Sequence, residues 1–268
     1  MPRTGSPSGS EFEVVERRSS HALLRFYGEL NDFLSPDRRQ RDIKVVFPIS
    51  PAVKDTIESL GVPHVEVGCI LIEGRAVEFG HRLALGERVA VYPVFKTLSE
   101  AFMVPLRVPL LGEVRFVADV HLGRLARMLR LLGFDVVYDC QADDRELLRC
   151  SLAENRVLLT RDRALLKHGD LIYGTWVRNV HVQLQAIEVL RRFDLGQFIA
   201  PLTRCPLCNG CLKHVAKHKV ADRIPPRTAA WLDDYFQCET CRKLYWQGTH
   251  VERIRDQIAQ ILDALQSS

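Results

Sequence analysis

Three aspartates follow apolar runs in the middle of the chain, at points where each run reads as a β-strand that has just ended. Asp119 closes "RFVAD", Asp144 follows "VVYD" in "CQADD", and Asp162 follows "VLLT". Because the carboxyl ends of parallel strands meet at one edge of a sheet, we expect these carboxylates to converge. Clustered carboxylates repel one another, and a divalent cation relieves that repulsion. Hard oxygen ligands favour magnesium or manganese, which can activate water and stabilise a phosphoryl transition state.

The same acids also suit a purely structural role. Each lies just before a helical pattern, and Asp is a common helix N-cap. Asp143 is adjacent to Asp144 and competes with it for a place in the site, and Asp139 ends the second strand. Thr160 either supports the site through a hydrogen bond or only ends its strand. Acids at three successive strand ends favour a metal site over three independent caps.

An arginine-bearing helix follows the first acid. In "HLGRLARMLRLLG" the leucines share one helical face and the arginines lie on the opposite face. Arg124 and Arg127, together with Arg161 beside Asp162, are expected to contact the phosphates of a nucleic acid. Arg130 lies farther along the helix and is expected to reach solvent. The sequence thus pairs acids for a metal with arginines for phosphate.

Two C-x-x-C pairs near the end of the chain predict a second, different metal centre. The pairs Cys205/Cys208 and Cys238/Cys241 are separated by 29 residues. Two such knuckles form a closed tetrahedral zinc site, which is structural rather than catalytic. Cys211 has the same spacing and is the competing ligand. Further candidates are His214, His218 and His250, whereas Cys69, Cys140 and Cys150 are interpreted as small buried residues.

Composition limits the class of protein. The 268 residues are 47% hydrophobic and 26% charged, with a net charge of +4, which is ordinary for a globular protein and permits nucleic-acid binding without requiring it. Residues 204–227 form a basic stretch that is either a phosphate-facing patch or a solvated loop. No signal peptide and no apolar run of about 18 residues is present, so we expect a cytoplasmic protein without a membrane span. Eight cysteines in such a chain favour metal over disulfides.

The elements that must position these side chains fall into three units. In the first, two strands, a helix and two further strands predict a small α+β β-grasp domain, with Ser50 as the expected N-cap of the helix at 50–61. In the second, strands and helices alternate. "DDRELLRCSLAEN", with acids in its first turn, predicts a helix, and "RDRALLKHG" predicts a short one. This order predicts an α/β unit with a parallel sheet and flanking helices. The expected boundaries are 1–18 for a disordered tail, 19–97 for the β-grasp domain, 98–113 for a linker, 114–200 for the α/β unit, and 201–268 for the zinc ribbon and a closing helix.

The central motifs resemble a known family. "FVADVHLGRLARMLRLLGFDVVYD", "ADDRELL" and "RVLLTRD", in that order, closely resemble the PIN-like RNase domain named for the C-terminal region of the Mut-seven exonuclease. The resemblance covers about residues 114–253, including the cysteine segment. It implies a PIN-like fold, metal-dependent RNase activity and an acidic site at Asp119, Asp144 and Asp162, with Asp143 as the rival of Asp144.

The sequence departs from this family at one position. Many PIN-like sites carry a fourth acid shortly after the third, where this chain has Arg163 and Ala164. Asp170 is the alternative. Near the chain's end, "LYWQGTHVERI" also matches the family, and Tyr245 and Trp246 either stack on a base or pack against the zinc knuckle.

The first unit resembles a second domain. "HVEVGCILIEGRAVEFGHRLALGERVAVYPVF" is similar to the ubiquitin-like, sulfur-carrier-like β-grasp domain that is fused to these RNase domains. Sulfur carriers need a free C-terminal Gly-Gly, whereas here the chain continues into "KTLSEAF". The resemblance therefore implies RNA binding or docking to a protein or ribosome, with the basic loop 37–41 as a phosphate contact or a solvated loop.

These observations predict a ribonuclease, most simply an endonuclease, that hydrolyses RNA phosphodiester bonds through an Asp-bound magnesium or manganese ion and carries a structural zinc. The alternative is a non-catalytic RNA- or ribosome-binding protein with a degenerate PIN-like core. A toxin-like nuclease is a third reading. DNA stays open as a substrate, because a carboxylate–metal site recognises phosphate rather than the 2′-hydroxyl.

Overall fold

The computed structural model describes residues 20–94, 106, 113–246 and 249–266. The expected tail at 1–18 and most of the expected linker at 98–113 lie outside these residues. Within the described ranges, no helix has the length and apolar character needed to cross a membrane.

The N-terminal unit is a five-stranded sheet packed on one helix. Its elements are β1 (Ser20–Phe26), β2 (Ile43–Phe47), α1 (Val53–Ser59), β3 (Val67–Ile72), β4 (Arg75–Ala76) and β5 (Arg88–Pro93). The sheet order is β2-β1-β5-β3-β4, in which β1 and β5 are parallel and the other neighbours are antiparallel. Val53 and Ile57 of α1 are fully buried in the same core as Leu24 and Val91 of the sheet. The predicted β-grasp domain is confirmed.

The prediction that Ser50 caps α1 is wrong. The helix begins at Val53, and the Ser50 hydroxyl instead donates to the Leu83 carbonyl over 2.8 Å. The backbone from 50 to 53 is paired with the segment 81–83, which keeps it extended until the helix starts. The expected end of the helix is confirmed, because Gly61 takes a φ of +109°, a conformation that favours glycine.

The central unit is a parallel sheet in the order β7-β6-β8-β9. Its elements are β6 (Phe116–Ala118), α2 (Gly123–Leu131), β7 (Val136–Tyr138), α3 (Asp144–Glu154), β8 (Val157–Thr160), β9 (Gly174–Trp176) and α4 (Val182–Arg192). This confirms the predicted parallel sheet with flanking helices. The leucine face of α2 is also confirmed, because Leu122, Leu125, Leu129 and Leu132 are all buried.

The C-terminal unit contains a three-stranded antiparallel sheet. It consists of β10 (Leu212–Val215), a short helix α5 (Pro226–Ala229), β11 (Tyr235–Cys238) and β12 (Leu244–Trp246). Tyr235 is fully buried and packs with Val220, Ile224 and Leu244. A longer helix, α6 (Thr249–Gln266), follows the sheet.

Helices cover both faces of the central sheet. Phe116 and Ala118 of β6 face the core formed with α2, α4 and α6, whereas Val117 faces the core formed with α3. Ile258 and Ile261 of α6 are buried in the first of these cores. The closing helix therefore packs on the central unit rather than on the zinc ribbon alone.

Two parts of the central unit differ from the sequence reading. The stretch "RDRALLKHG", expected to be a short helix, contains one 3-10 turn at Leu165–Lys167. Strand β9 and helix α4 were not predicted. With only three residues, β9 carries little periodic signal, and its formation depends on pairing with β8, which is distant in sequence.

Candidate active site and zinc centre

Asp119 lies at the carboxyl end of β6 and is 5% exposed. Its Oδ2 atom accepts a 2.6 Å hydrogen bond from the Thr160 hydroxyl, and its Oδ1 atom accepts one from the His121 N–H over 3.1 Å. Among the described residues, no basic side chain forms an ion pair with Asp119. A buried carboxylate without a positive partner is unfavourable, and a bound cation would compensate its charge.

Thr160 connects two of the expected acids. It is fully buried at the end of β8, next to β6, and its hydroxyl oxygen accepts the Asp162 N–H over 2.9 Å. The Asp162 carboxylate is exposed and accepts the Ala164 N–H over 2.7 Å. Asp119 and Asp162 thus lie at the same edge of the sheet, joined through one hydroxyl group.

The two adjacent acids at the start of α3 have different surroundings. Asp143 is the N-cap: its carboxylate accepts the Glu146 N–H over 2.8 Å, and the Glu146 carboxylate accepts the Asp143 N–H over 3.0 Å. Asp144 is the first residue of the helix, is exposed, and has no hydrogen-bond or ion-pair partner within the described part of the chain. Asp143 therefore stabilises the helix, and Asp144 is the acid of the pair that is available to a ligand.

The acids are not gathered into a tight cluster. Among the described residues, only the four cysteines form a group of three or more candidate ligands that is close enough to hold a metal ion. The oxygen donors of Asp119, Asp144 and Asp162 suit a hard divalent cation chemically, although they are more widely spread. The Arg163 guanidinium, at a position where a fourth acid was expected, stacks on the Trp176 ring at 3.9 Å.

A groove of about 920 Å³ lies between α2 and the start of α4. None of the three acids lines it, but its wall includes His121, two residues after Asp119. Arg124 and Arg127 line it and are exposed, as expected from the helical pattern. His121, which donates to Asp119 through its backbone, and His181 line it as well. Arg161 lies on the loop after β8, where its Nη1 atom donates to the Asn179 carbonyl over 2.7 Å.

The cysteine geometry fits zinc. The Sγ atoms of Cys205 and Cys241 are 3.7 Å apart and those of Cys208 and Cys238 are 3.4 Å apart, with all four within 4.8 Å of one another. Zinc–sulfur bonds of about 2.3 Å in a tetrahedron place the sulfur atoms about 3.8 Å apart. Cys211, the competing ligand, is exposed and lies outside this group.

Tyr245 supports this centre rather than presenting its ring for stacking. Its hydroxyl lies 3.0 Å from the Cys205 Sγ atom. Burial raises the pKa of the Cys205 thiol, but hydrogen bonds from Tyr245 and from the Leu207 and Cys208 backbone outweigh burial and bring the pKa to about 7. The pKa of Cys208 is instead raised to about 12, by burial and by hydrogen bonds with the other three cysteines. Of these two residues, Cys205 therefore forms the metal-binding thiolate more readily.

The expectation that Arg130 reaches solvent is wrong. Arg130 is 5% exposed, and its guanidinium donates to the carbonyls of Val136 (2.9 Å), Leu207 (2.8 Å) and Pro206 (3.4 Å). Two of these carbonyls lie between Cys205 and Cys208. Arg130 of α2 therefore connects the first zinc knuckle, Cys205 to Cys208, to the central unit through hydrogen bonds.

A second set of polar contacts at this junction was not predicted. Asp135 accepts hydrogen bonds from Arg156 (2.8 Å) and Asn209 (2.7 Å) and pairs with Arg204 at 3.4 Å. The Asn209 side chain also accepts the Val136 N–H over 3.0 Å. Burial raises the pKa of Asp135, but the hydrogen bonds and charges of these partners outweigh burial and lower it. The zinc ribbon and the central unit therefore share one polar interface.

Comparison with known families decides the identity of the central unit. The family described as the Mut7-C RNAse domain matches residues 114–258, which are 145 of the 268 residues. The chain belongs to the Mut7-C RNAse domain family. The Mut7-C ubiquitin domain matches residues 19–99, so the Mut7-C RNAse domain is preceded by its ubiquitin-like partner. Searches of curated proteins and of solved structures return no significant match.

Proposed function

We propose that this chain is a metal-dependent ribonuclease that hydrolyses RNA phosphodiester bonds, with internal cleavage as the simplest mode. The observation that carries the proposal is the buried Asp119 carboxylate, which Thr160 and the His121 N–H orient at the sheet edge of an RNase domain. Its lack of a positive partner within the described residues favours a bound cation. Asp162 shares the Thr160 hydroxyl with Asp119 and is the second acid of the site.

Magnesium or manganese would be held by Asp119, Asp162 and Asp144 and would supply water activation and charge neutralisation at the scissile phosphate. Asp119 would provide metal-ligand oxygens of fixed position, because its two hydrogen bonds hold the carboxylate in one orientation. Asp162 and Asp144 lie on exposed loop and helix ends and complete the donor set. The Asp143 carboxylate caps α3 and is therefore engaged with the helix backbone. By fixing the first turn of α3, it positions Asp144.

The exposed arginines would bind the RNA backbone. Arg124 and Arg127 line the groove together with His121, which follows Asp119 by two residues. Planar guanidinium groups match phosphate oxygens well. Arg161 is adjacent to Asp162 and is held by the Asn179 carbonyl. Zinc at the four cysteines has a closed shell of ligands and serves the structure rather than the chemistry.

Analysis of reaction products tests this proposal. A zinc-loaded protein would be given end-labelled RNA with magnesium or manganese, beside the same RNA carrying 2′-deoxy nucleotides. Hydrolysis by water predicts cut RNA without 2′,3′-cyclic phosphate ends, and the 2′-deoxy substrate shows whether the 2′-hydroxyl is needed for recognition. Cyclic phosphate ends would show that the 2′-hydroxyl is the nucleophile and would contradict the proposal.

A second candidate function is RNA binding without cleavage, on a ribosome or with a protein partner. It is favoured by the spread of the acids and by Arg163, which stands where many PIN-like sites carry a fourth acid. Under this alternative, the arginine-lined groove binds RNA with the same affinity whether or not Asp119 is changed to Asn. No metal would then produce turnover.

A further inference from the structure

The β-grasp domain contacts the central unit through a fully buried acid. Glu66 is 0% exposed, and its Oε1 atom accepts the Trp176 N–H over 2.6 Å and the Thr175 hydroxyl over 3.2 Å. Its Oε2 atom pairs with Arg192 of α4 at 2.7 Å. Strand β9 is an edge of the parallel sheet, and Glu66 accepts one of the backbone N–H groups on that edge, the N–H of Trp176.

Other contacts fix the same interface. His64 Nε2 donates to the Leu171 carbonyl over 2.8 Å, and Lys167 donates to the Glu58 carbonyl over 3.2 Å. Arg192 also pairs with Glu29 at 2.9 Å. Several segments of the β-grasp domain are thus joined by charged and polar groups to β9, to α4 and to the loop between β8 and β9. The domain is docked, rather than tethered as a free module.

Arg178, which follows β9, extends this interface toward the groove. Its Nε atom lies 3.2 Å from Asp32 of the β-grasp domain, and its guanidinium lies 5.5 Å from the Phe33 ring centroid. The backbone N–H groups of Arg178 and Asn179 donate to Glu188 of α4, over 3.0 and 3.1 Å. The loop after β9 is therefore held between the β-grasp domain and α4.

The same loop borders the groove. The Asn179 carbonyl accepts hydrogen bonds from Arg161 (2.7 Å) and from Gln185 (2.8 Å). Val180 and His181, the next residues, line the groove wall opposite α2. A continuous series of contacts thus runs from Asp32 and Glu66, through the loop at 177–181, to the arginine beside Asp162.

We propose that the β-grasp domain is a fixed structural part of the nuclease site, which positions the loop at 177–181 and, through it, Arg161 and one wall of the groove. Glu66 and Asp32 are the positioning residues. The role of this wall in binding RNA rests on the proposed function. The ordering of the loop by the domain does not, because it depends only on the contacts described above.

The experiment compares Asp32→Asn and Glu66→Gln with the matched control Glu78→Gln in the full-length, zinc-loaded chain. Glu78 is an exposed acid of the same domain. Asp32→Asn is the mild variant, because the Asp32 side chain is 47% exposed and its replacement leaves no buried polar group without a partner in the core of the domain. Amide hydrogen exchange across 174–181 reports loop order, and RNA affinity and the separate values of kcat and KM report the site.

Both interface variants should speed amide exchange in the loop and weaken RNA binding by about three- to tenfold, raising KM more than they lower kcat. Glu78→Gln should change neither. Unchanged exchange in the two variants, or faster exchange with unchanged RNA affinity, would overturn the inference. A wild-type protein that binds no RNA would overturn the proposed function instead, while the exchange data would still decide whether the domain orders the loop.

Discussion

Residue type and spacing predicted the location of Asp119 correctly and that of Arg130 wrongly. The apolar run before Asp119 predicted its position at a strand end, where parallel sheets carry ligand-binding residues. Asp119 is buried and accepts a hydrogen bond from Thr160, which is the contact that one of the two readings of that threonine predicted. The role of Thr160 in a metal site stays a prediction. The prediction that Arg130 reaches solvent failed because helical periodicity describes the faces of one helix and not what packs against them. The carbonyls that bury it belong to a knuckle 76 or 77 residues away in the chain.

Replacement of Arg130 tests its link to zinc. Arg130→Met removes the donor that holds the Pro206 and Leu207 carbonyls, and we expect zinc affinity to fall by about ten- to a hundredfold, as for other groups that support metal ligands. Competition with a chromophoric chelator measures this. Arg127→Met, one turn earlier on the exposed face, is the control. Equal zinc affinity in the two variants would show that Arg130 does not support the knuckle.

At the scale of elements, long patterned segments were predicted well. Helix α2 was readable from its leucine face, and α3 from its acidic first turn and the apolar residues that follow. Strand β9 was not readable, since three residues cannot show an alternating pattern, and its edge is completed by Glu66 of another domain. The start of α1 was misplaced because backbone pairing with residues 81–83 outweighs the local preference of Ser50.

The first turn of α3 gives a test that separates two adjacent acids. Asp143→Ala removes the reciprocal cap with Glu146 and should lower the free energy of unfolding by about 1 kcal/mol. Asp144→Ala should cost about half of that or less, because its carboxylate makes no bond within the described structure. Cleavage should show the larger loss in Asp144→Ala. Denaturant unfolding and cleavage rates would be measured for both variants. A larger loss of stability in Asp144→Ala together with a larger loss of cleavage in Asp143→Ala would refute this assignment.

At the scale of the whole molecule, the sequence predicted three units but not how they join. The zinc knuckle attaches through Arg130 and Asp135, and the β-grasp domain attaches through Glu66 and His64. These residues are charged or polar and lie in short segments without strong periodicity. Their partners are distant in sequence, so one chain read alone carries no signal for the contacts.

The buried His64 makes the domain interface sensitive to pH. Burial lowers the pKa of His64 below its ordinary value of 6.5, although the Leu171 carbonyl and Glu58 favour the protonated form. The unfolded chain therefore binds this proton more readily than the folded chain does. The free energy of unfolding should fall as the pH drops below about 6.5.

Denaturant unfolding at pH 7.5 and at pH 5.5 checks this expectation. His64→Gln should lose less stability between the two pH values than the wild-type protein does. His168→Gln, at an exposed histidine of the central unit, is the control and should follow the wild type. A loss of stability in His64→Gln as large as that of the wild type would contradict the assignment.

The most direct test of the account is to measure RNA affinity and single-turnover cleavage together for wild-type protein and Asp119→Asn, both loaded with zinc and supplied with magnesium or manganese. If Asp119 holds the catalytic cation, its loss should slow cleavage by about a hundredfold or more, because several kcal/mol of transition-state stabilisation are removed. RNA affinity, which depends on the arginines of the groove, should change by no more than about threefold. Cleavage by Asp119→Asn at the wild-type rate would contradict the assignment of this acid to the active site.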